Sequence, residues 1–504
     1  MTARLNSKSK IYKVSLVGLA VILFCGAGQL QSWLNVKRKD LGLTRLAPLQ
    51  NAPPMLAFTS VALGGFRGLI ANALWMRAND LQNDDKYFEM VQLADWITTL
   101  EPHFVDVWRV QAWNMAYNIS VKFKDPEDRW HWVQRGIRLL RDQGIPLNPG
   151  EALLYRDLSW LYQHKIGQDL DDAHMRYKLR LAQEMQPIFG GGRPNFDALI
   201  NPKTAQDKQR VRTLEDVYKM DPKIIKKVDD EYGPLDWRLP DAYAIYWAEV
   251  GREKAKPSDQ ETLRRSIYQT MQQACIRGGA LSHTITNITP RNFIIWPNLD
   301  LVPKVSAAYE KMIGEDEKLR ENMQKAHRNF LKTAVYLLYE DGRTQQAAYW
   351  FSYMKSKYSD ALVGRQKNLS LDDYCLSQIV EDNGETDMNK VSASIEAMFH
   401  NGFICLVRDD DDRYANYENL ARLIWNHYHE KIGTISKERL SLRPLPELRQ
   451  FILDKELDPD PRYALMPPEA QAILRTKLGL PAPKPRAVSG PVSANQSAPA
   501  ATAQ

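Results

Sequence analysis

The sequence predicts an all-α chain, and three observations carry that expectation. The first is residues 86–119, KYFEMVQLADWITTLEPHFVDVWRVQAWNMAYNI. Before Pro102, Phe88, Val91, Ala94, Trp96 and Ile97 recur at a three-to-four spacing; after it, Val105, Trp108, Ala112, Met115 and Ile119 do the same. That spacing places each set on one helix face. Pro102 has no N–H for a helix interior, so the stretch reads as two helices with a stop between them. The second observation is that this pattern returns. Trp108 lies six residues after Pro102, and Tyr155 lies six residues after Pro149. The third is the scarcity of β pattern: only residues 284–303, TITNITPRNFIIWPNLDLVP, gather Thr and Ile between prolines, and they read as a loop or short hairpin.

A lone αα-hairpin leaves half its apolar surface wet and needs copies of itself. From Tyr155, Leu158, Ser159 and Tyr162 give large, small, large on one face. Near the other end, a helix with Leu331, Ala334 and Leu338 precedes DGRTQQAAYWFSYMKSKYSD, in which Gly342, Ala347 and Phe351 stand five and then four apart. On these residues the chain resembles the tetratricopeptide repeat (TPR), a helix-turn-helix of ~34 residues. The resemblance covers residues 71–185 and 326–360, with a further unit at 240–278, where Ala244, Trp247 and Ala248 share a face. It departs from the pattern at Arg77 and Gln111, where a large apolar residue is usual. It implies a TPR-like helical-repeat solenoid.

Composition bounds the function. The chain has 504 residues, 44% hydrophobic and 25% charged, with a formal net charge of +6. Residues 1–50 carry Arg4, Lys8, Lys10, Lys13, Lys37, Arg38, Lys39 and Arg45 against the single Asp40, a net +7 that leaves the rest at −1. The body is therefore not basic, and no nucleic-acid partner is expected. Residues 14–34, VSLVGLAVILFCGAGQLQSWL, reach the ~20 residues that span a bilayer. Basic residues precede them, and Phe24 stands where a lipoprotein signal needs a small residue before Cys25, so they read as an uncleaved single-pass anchor. The expected location is the inner membrane, with the body exported. Cys275, Cys375 and Cys405 are far apart, without CxxC or Cys/His spacing, and read as buried thiols.

The expected organisation is a basic tail (1–13), the anchor (14–34), a linker (35–54) that turns Pro-rich, N-terminal repeats (55–186) and an irregular insertion (187–238) rich in Gly, Pro and Asn at its start. Later repeats (239–360), a C-terminal helical region (361–480) and a disordered Pro/Ala/Ser tail (481–504) follow. Asp125 and Pro126 form a helix start, as does Pro240, and Ser258 with Glu261 reads as a capping box.

No nucleotide, hydrolase or metalloprotease motif is present, and no cofactor is called for. Residues 408–413, RDDDDR, lack the spaced ligands and Gly of a calcium loop and read as a solvated turn. His427 and His429, two apart on a helix, point to different faces. Asp241 beside Trp237 and Tyr243, or Asp95 beside Trp96, are the carboxylates an α/α glycan-acting enzyme would use.

The TPR resemblance implies a more specific site. In that family the first helix of each unit lines a concave groove, at positions one and five after the large aromatic. Here these are Arg109 and Trp113, with Asp106 on the same helix, then Arg156 and Trp160, then Lys332 and Tyr336 counted from Leu331. A cation and an aromatic four apart share a helix face. The implied function is a membrane-anchored scaffold whose groove holds a protein partner within an envelope or transport assembly. The alternative is a carbohydrate-binding repeat protein.

Overall fold

The computed structural model describes residues 66–280, 288, 293–315, 317, 320–358, 368–383, 388–432, 442–460 and 463–481, with isolated positions between 18 and 37. They fall into two units, one of residues 1–73 with 99–101, the other of 74–98 with 102–504. In the first, the described positions between 18 and 37 are helical and exposed. Most of the expected anchor, Cys25 and the tail at 482–504 lie outside the described residues. Among the described residues no helix is long and apolar enough to cross a membrane.

The chain is helical as expected. After α1 (Phe66–Asn83) and α2 (Tyr87–Leu100) come α3 (Val105–Trp113), α4 (Pro126–Arg138), α5 (Ala152–Trp160) and α6 (His174–Phe189). In the second unit the hairpin partners pack as the periodicity predicts. The end of α3 packs on α4, the end of α5 on α6, and α3 packs against α5. Trp108, Ala112, Met115 and Ile119 are buried, as are Tyr155, Leu158, Ser159 and Tyr162. The stripe on α2 is rotated from the expected one. Met90, Val91, Ala94 and Ile97 are buried, whereas Phe88 and Trp96 are exposed.

Residues 187–238, expected to be irregular, instead hold α7 (Phe196–Ile200), α8 (Ala205–Arg212) and α9 (Pro222–Tyr232). Their starts are set by side-chain caps on short helices. Asn195, Thr204 and Asp221 accept from Ala198, Asp207 and Lys223 N–H groups respectively. Asp125 caps α4 in the same way, through the Glu127 N–H.

Next come α10 (Pro240–Lys254) and α11 (Gln260–Arg277). α10 packs against α5, α9 and α11 at once, which buries every residue from Pro240 to Gly251. The expected capping box before α11 does not form: α11 begins after Asp259, and Ser258 Oγ donates to the Asp259 carboxylate instead. The segment with β character contributes β2 (Ile295–Trp296), antiparallel to β1 (Gly279–Ala280). Then α12 (Val302–Glu315), α13 (Arg320–Glu340) and α14 (Thr344–Lys357) pack in sequence. Leu331, Ala334, Leu338, Ala347 and Phe351 are buried there, and Gly342 makes the turn at φ +79°. The chain finishes with α15 (Leu371–Asn383), α16 (Met388–Val407), α17 (Asp411–Ile432), α18 (Leu445–Glu456) and α19 (Pro468–Lys477). α16 packs against α17, α18 and α19.

One contact recurs at α3, α5 and α10. Trp108 Nε1 donates to the Pro102 carbonyl (2.9 Å), Tyr155 Oη to that of Pro149 (3.0 Å) and Tyr243 Oη to that of Trp237 (2.7 Å). Each joins a buried aromatic to the backbone six residues earlier. The ring contributes burial of ~1.5–3 kcal/mol and the polar atom fixes the angle at which the chain enters the helix. The neighbouring helix must then come close. Gly136 of α4 sits where a Cβ would lie 2.8 Å from the Ala112 carbonyl oxygen, and Gly251 of α10 where one would lie 2.4 Å from Tyr155 Cβ.

Candidate functional site: an aromatic face at the ends of two helices

α3 and α5 end alike. Trp113 and Trp160 are the last residues of regular α-helix, and each runs into a π-helical turn, Asn114–Ile119 and Leu161–Ile166. A π-turn carries an extra residue per turn and re-aims the side chains beyond it. Here it brings Tyr117 and His164 under the two tryptophans. Trp113 stacks on Tyr117 with centroids 4.1 Å apart, and Trp160 stacks on His164 at 4.3 Å. Tyr117 Oη and His164 Nδ1 are 2.9 Å apart, so one hydrogen bond ties the two stacks together. Trp113 is 47% exposed, an unusual state for a Trp five residues from one that is 3% exposed. Trp108 and Trp113 therefore have opposite environments on one helix.

The charged residues expected in the groove are present but already engaged. Arg109 Nε donates to Asp157 (2.6 Å) and its Nη1 to Asp106 (2.9 Å). Arg156 Nη2 donates to the other oxygen of Asp157 (2.6 Å). Burial works against the Arg109 charge, but Asp157 and Asp106 outweigh it and hold its pKa above the usual value. These guanidiniums are therefore not free donors to a partner's carboxylates. Asp157, which the repeat register does not single out, binds both. Its only trace in the sequence is a carboxylate beside Arg156, a feature too common to mark it. Beneath the stacks, Lys165 is buried against Asp171 (2.7 Å), its ammonium 5.3 Å from the Tyr117 ring centre. Burial first, then Lys165 and Arg277, pull the His164 pKa down, so the ring that stacks on Trp160 is neutral at neutral pH.

The third expected pair lies elsewhere. Lys332 and Tyr336 are half-buried on α13, among α12, α14, α15 and α17, and Tyr336 is hydrogen-bonded to Glu340. The structure thus joins two of the three pairs into one face.

The other candidates resolve simply. Asp241 is buried in α10 with Arg277 3.3 Å away, and burial raises its pKa; Asp95, on α2, is raised by burial against a smaller opposing effect of Arg135. Residues 408–410 turn between α16 and α17, with Asp409 at φ +61°, and Lys477 reaches Asp409 (2.8 Å). His429 stacks on Trp425 at 3.8 Å. Among the described residues no cluster could hold a metal ion. Cys275, Cys375 and Cys405 are free and buried, and burial pushes each thiol up to about 12. They are poor nucleophiles at neutral pH.

Comparison with known proteins gives no match to any family model, curated protein or solved structure.

Proposed function

We propose that this chain is a membrane-anchored scaffold of TPR-like build that captures a segment of a protein partner on the face formed by Trp113, Tyr117, Trp160 and His164. One observation carries the reading: two successive hairpins present the same element, a tryptophan at the last α-helical residue with a ring stacked beneath it from a π-turn. Stacked rings on helices are rigid, and a rigid aromatic loses little entropy when it is covered. Because Asp157 holds Arg109 and Arg156, the rings supply the contact and the paired charges form its polar rim. Residues 14–34 supply the anchor and place the body on the exported side.

The test is a paired capture experiment from detergent extract, with the wild type and the Trp113→Ala, Trp160→Ala double variant, after circular dichroism has shown that both are helical. The reading expects a discrete protein band from the wild type, lost in the variant. Capture that survives in the folded variant moves the site elsewhere. A glycan array run in parallel tests sugar stacking on the same rings, and tryptophan-dependent glycan binding without a protein band would replace the proposal.

A further inference from the structure

A second site lies where the N-terminal ends of α6 and α10 meet the C-terminal end of α11. A cavity of about 140 Å³ opens there, lined by Asp169, His174, Lys178, Asp241 and Arg277 beside Gly167. It is larger than the ~30 Å³ of liquid volume taken by one water molecule. Its cations are poorly compensated. The Lys178 side chain is 4% exposed, and its carboxylate partner Asp169 is 72% exposed. Asp169 also accepts His174 as a neighbour at 2.8 Å. Arg277 spends one amino group, Nη2, on three acceptors: the Gln163 carbonyl (3.0 Å), Gln273 (2.8 Å) and Asp241 (3.3 Å). Its Nε is buried without a hydrogen-bond partner among the described residues. Room for the guanidinium is kept by Gly167, where a Cβ would lie 2.8 Å from Nη2.

Burial, only partly offset by Arg277, raises the pKa of Asp241. Burial also lowers the pKa of Lys178, more than its bond to Asp169 (2.6 Å) restores it. The positive ends of the α6 and α10 dipoles face the cavity, against the single negative end of α11.

We propose that this cavity binds a small oxyanion, a carboxylate or a phosphate, between Lys178 and Arg277. The anion adds a buried partner to Lys178, whose Asp169 is exposed, and to Arg277, whose Nη2 alone carries three contacts. The cavity is lined by none of the four rings of the aromatic face, although Arg277 also acts on His164.

The full chain in detergent is titrated with sodium phosphate, sodium acetate and sodium chloride at matched ionic strength, with thermal unfolding as the readout. At least one oxyanion is expected to raise the melting temperature saturably beyond chloride, and which of them does so separates phosphate from carboxylate. Lys178→Met and Arg277→Met are each expected to weaken that saturation about tenfold or more. Asp241→Asn, which removes a carboxylate from the lining, is expected to retain it. Should Arg277→Met fail to fold, Lys178→Met decides, since its partner Asp169 is exposed to water. The proposal is overturned if neither oxyanion stabilises beyond chloride, or if Lys178→Met binds as tightly as the wild type.

Discussion

Gly251→Ala adds one methyl group at the contact between α10 and α5. The added carbon would lie 2.4 Å from Tyr155 Cβ and 2.7 Å from its Cγ. Carbon atoms in contact sit ~3.5–4.0 Å apart, so the two helices must part by about 1 Å. Tyr155 cannot move aside: it is 0% exposed, and its hydroxyl is held on the Pro149 carbonyl. Overpacking of this kind costs ~1–3 kcal/mol, and the better helix propensity of alanine returns at most ~1 kcal/mol. The net expectation is a loss of ~1–2 kcal/mol. Gly314→Ala in α12 is the control, because no atom lies within 4 Å of its added Cβ. That variant should be unchanged or slightly stabilised. Urea unfolding followed by circular dichroism reads both midpoints. Wild-type stability in Gly251→Ala would refute the close approach of α5 and α10 and, with it, the stacking of successive hairpins through their first helices.

Tyr155→Phe keeps the buried ring and removes only the bond to Pro149, so urea unfolding should show a loss of ~1 kcal/mol; an unchanged midpoint would mean the repeated aromatic lock contributes nothing. Asp157→Asn should lower stability by ~1 kcal/mol, and the loss should be non-additive with Arg109→Gln in a double-mutant cycle, because the half-buried carboxylate serves both arginines. His327 is fully buried between Ser306 Oγ (2.9 Å) and Tyr358 Oη (2.8 Å), and burial, then Lys357, against a smaller opposing effect of Glu310, pull its pKa from 6.5 to about 4. A base with a depressed folded pKa takes up its proton more readily when unfolded, so stability falls as pH drops from 6.5 to about 4 and levels off below that. The residue should account for ~3 kcal/mol of that fall, and His327→Gln should flatten the profile across the window.

The helices were legible in the sequence because their signal is local. Trp108, Ala112 and Met115 carry a period that survives any tertiary context, and Pro102 and Pro149 mark where each first helix enters. Where the reading failed, the deciding partner was distant or the signal too short. Phe88 fits the apolar stripe of α2 by spacing, yet it meets Phe123 and Trp132 edge-on at an exposed edge. Residues 187–238 look irregular because α7 has five residues and α8 eight, too few to show a period. At the site, spacing placed Trp113 and Trp160 on equivalent positions. It could not supply the π-turns that stack Tyr117 and His164 beneath them, nor Asp157, whose hold on Arg109 spans 48 residues. The Lys178–Arg277 cavity was invisible for the same reason: its lining comes from three helices and the loop at Gly167 and Asp169, joined only by the fold.

Site-specific photocrosslinking from position 113 tests the central claim most directly. A benzophenone side chain replaces Trp113 in the full chain, expressed in its native cells, and a parallel chain carries it in place of Trp96, which is 59% exposed on α2. Greater exposure with different placement makes position 96 the measure of random encounter. The account predicts one discrete protein adduct from position 113 and none of that mass from position 96. No adduct from 113, or the same adducts from both positions, would contradict it.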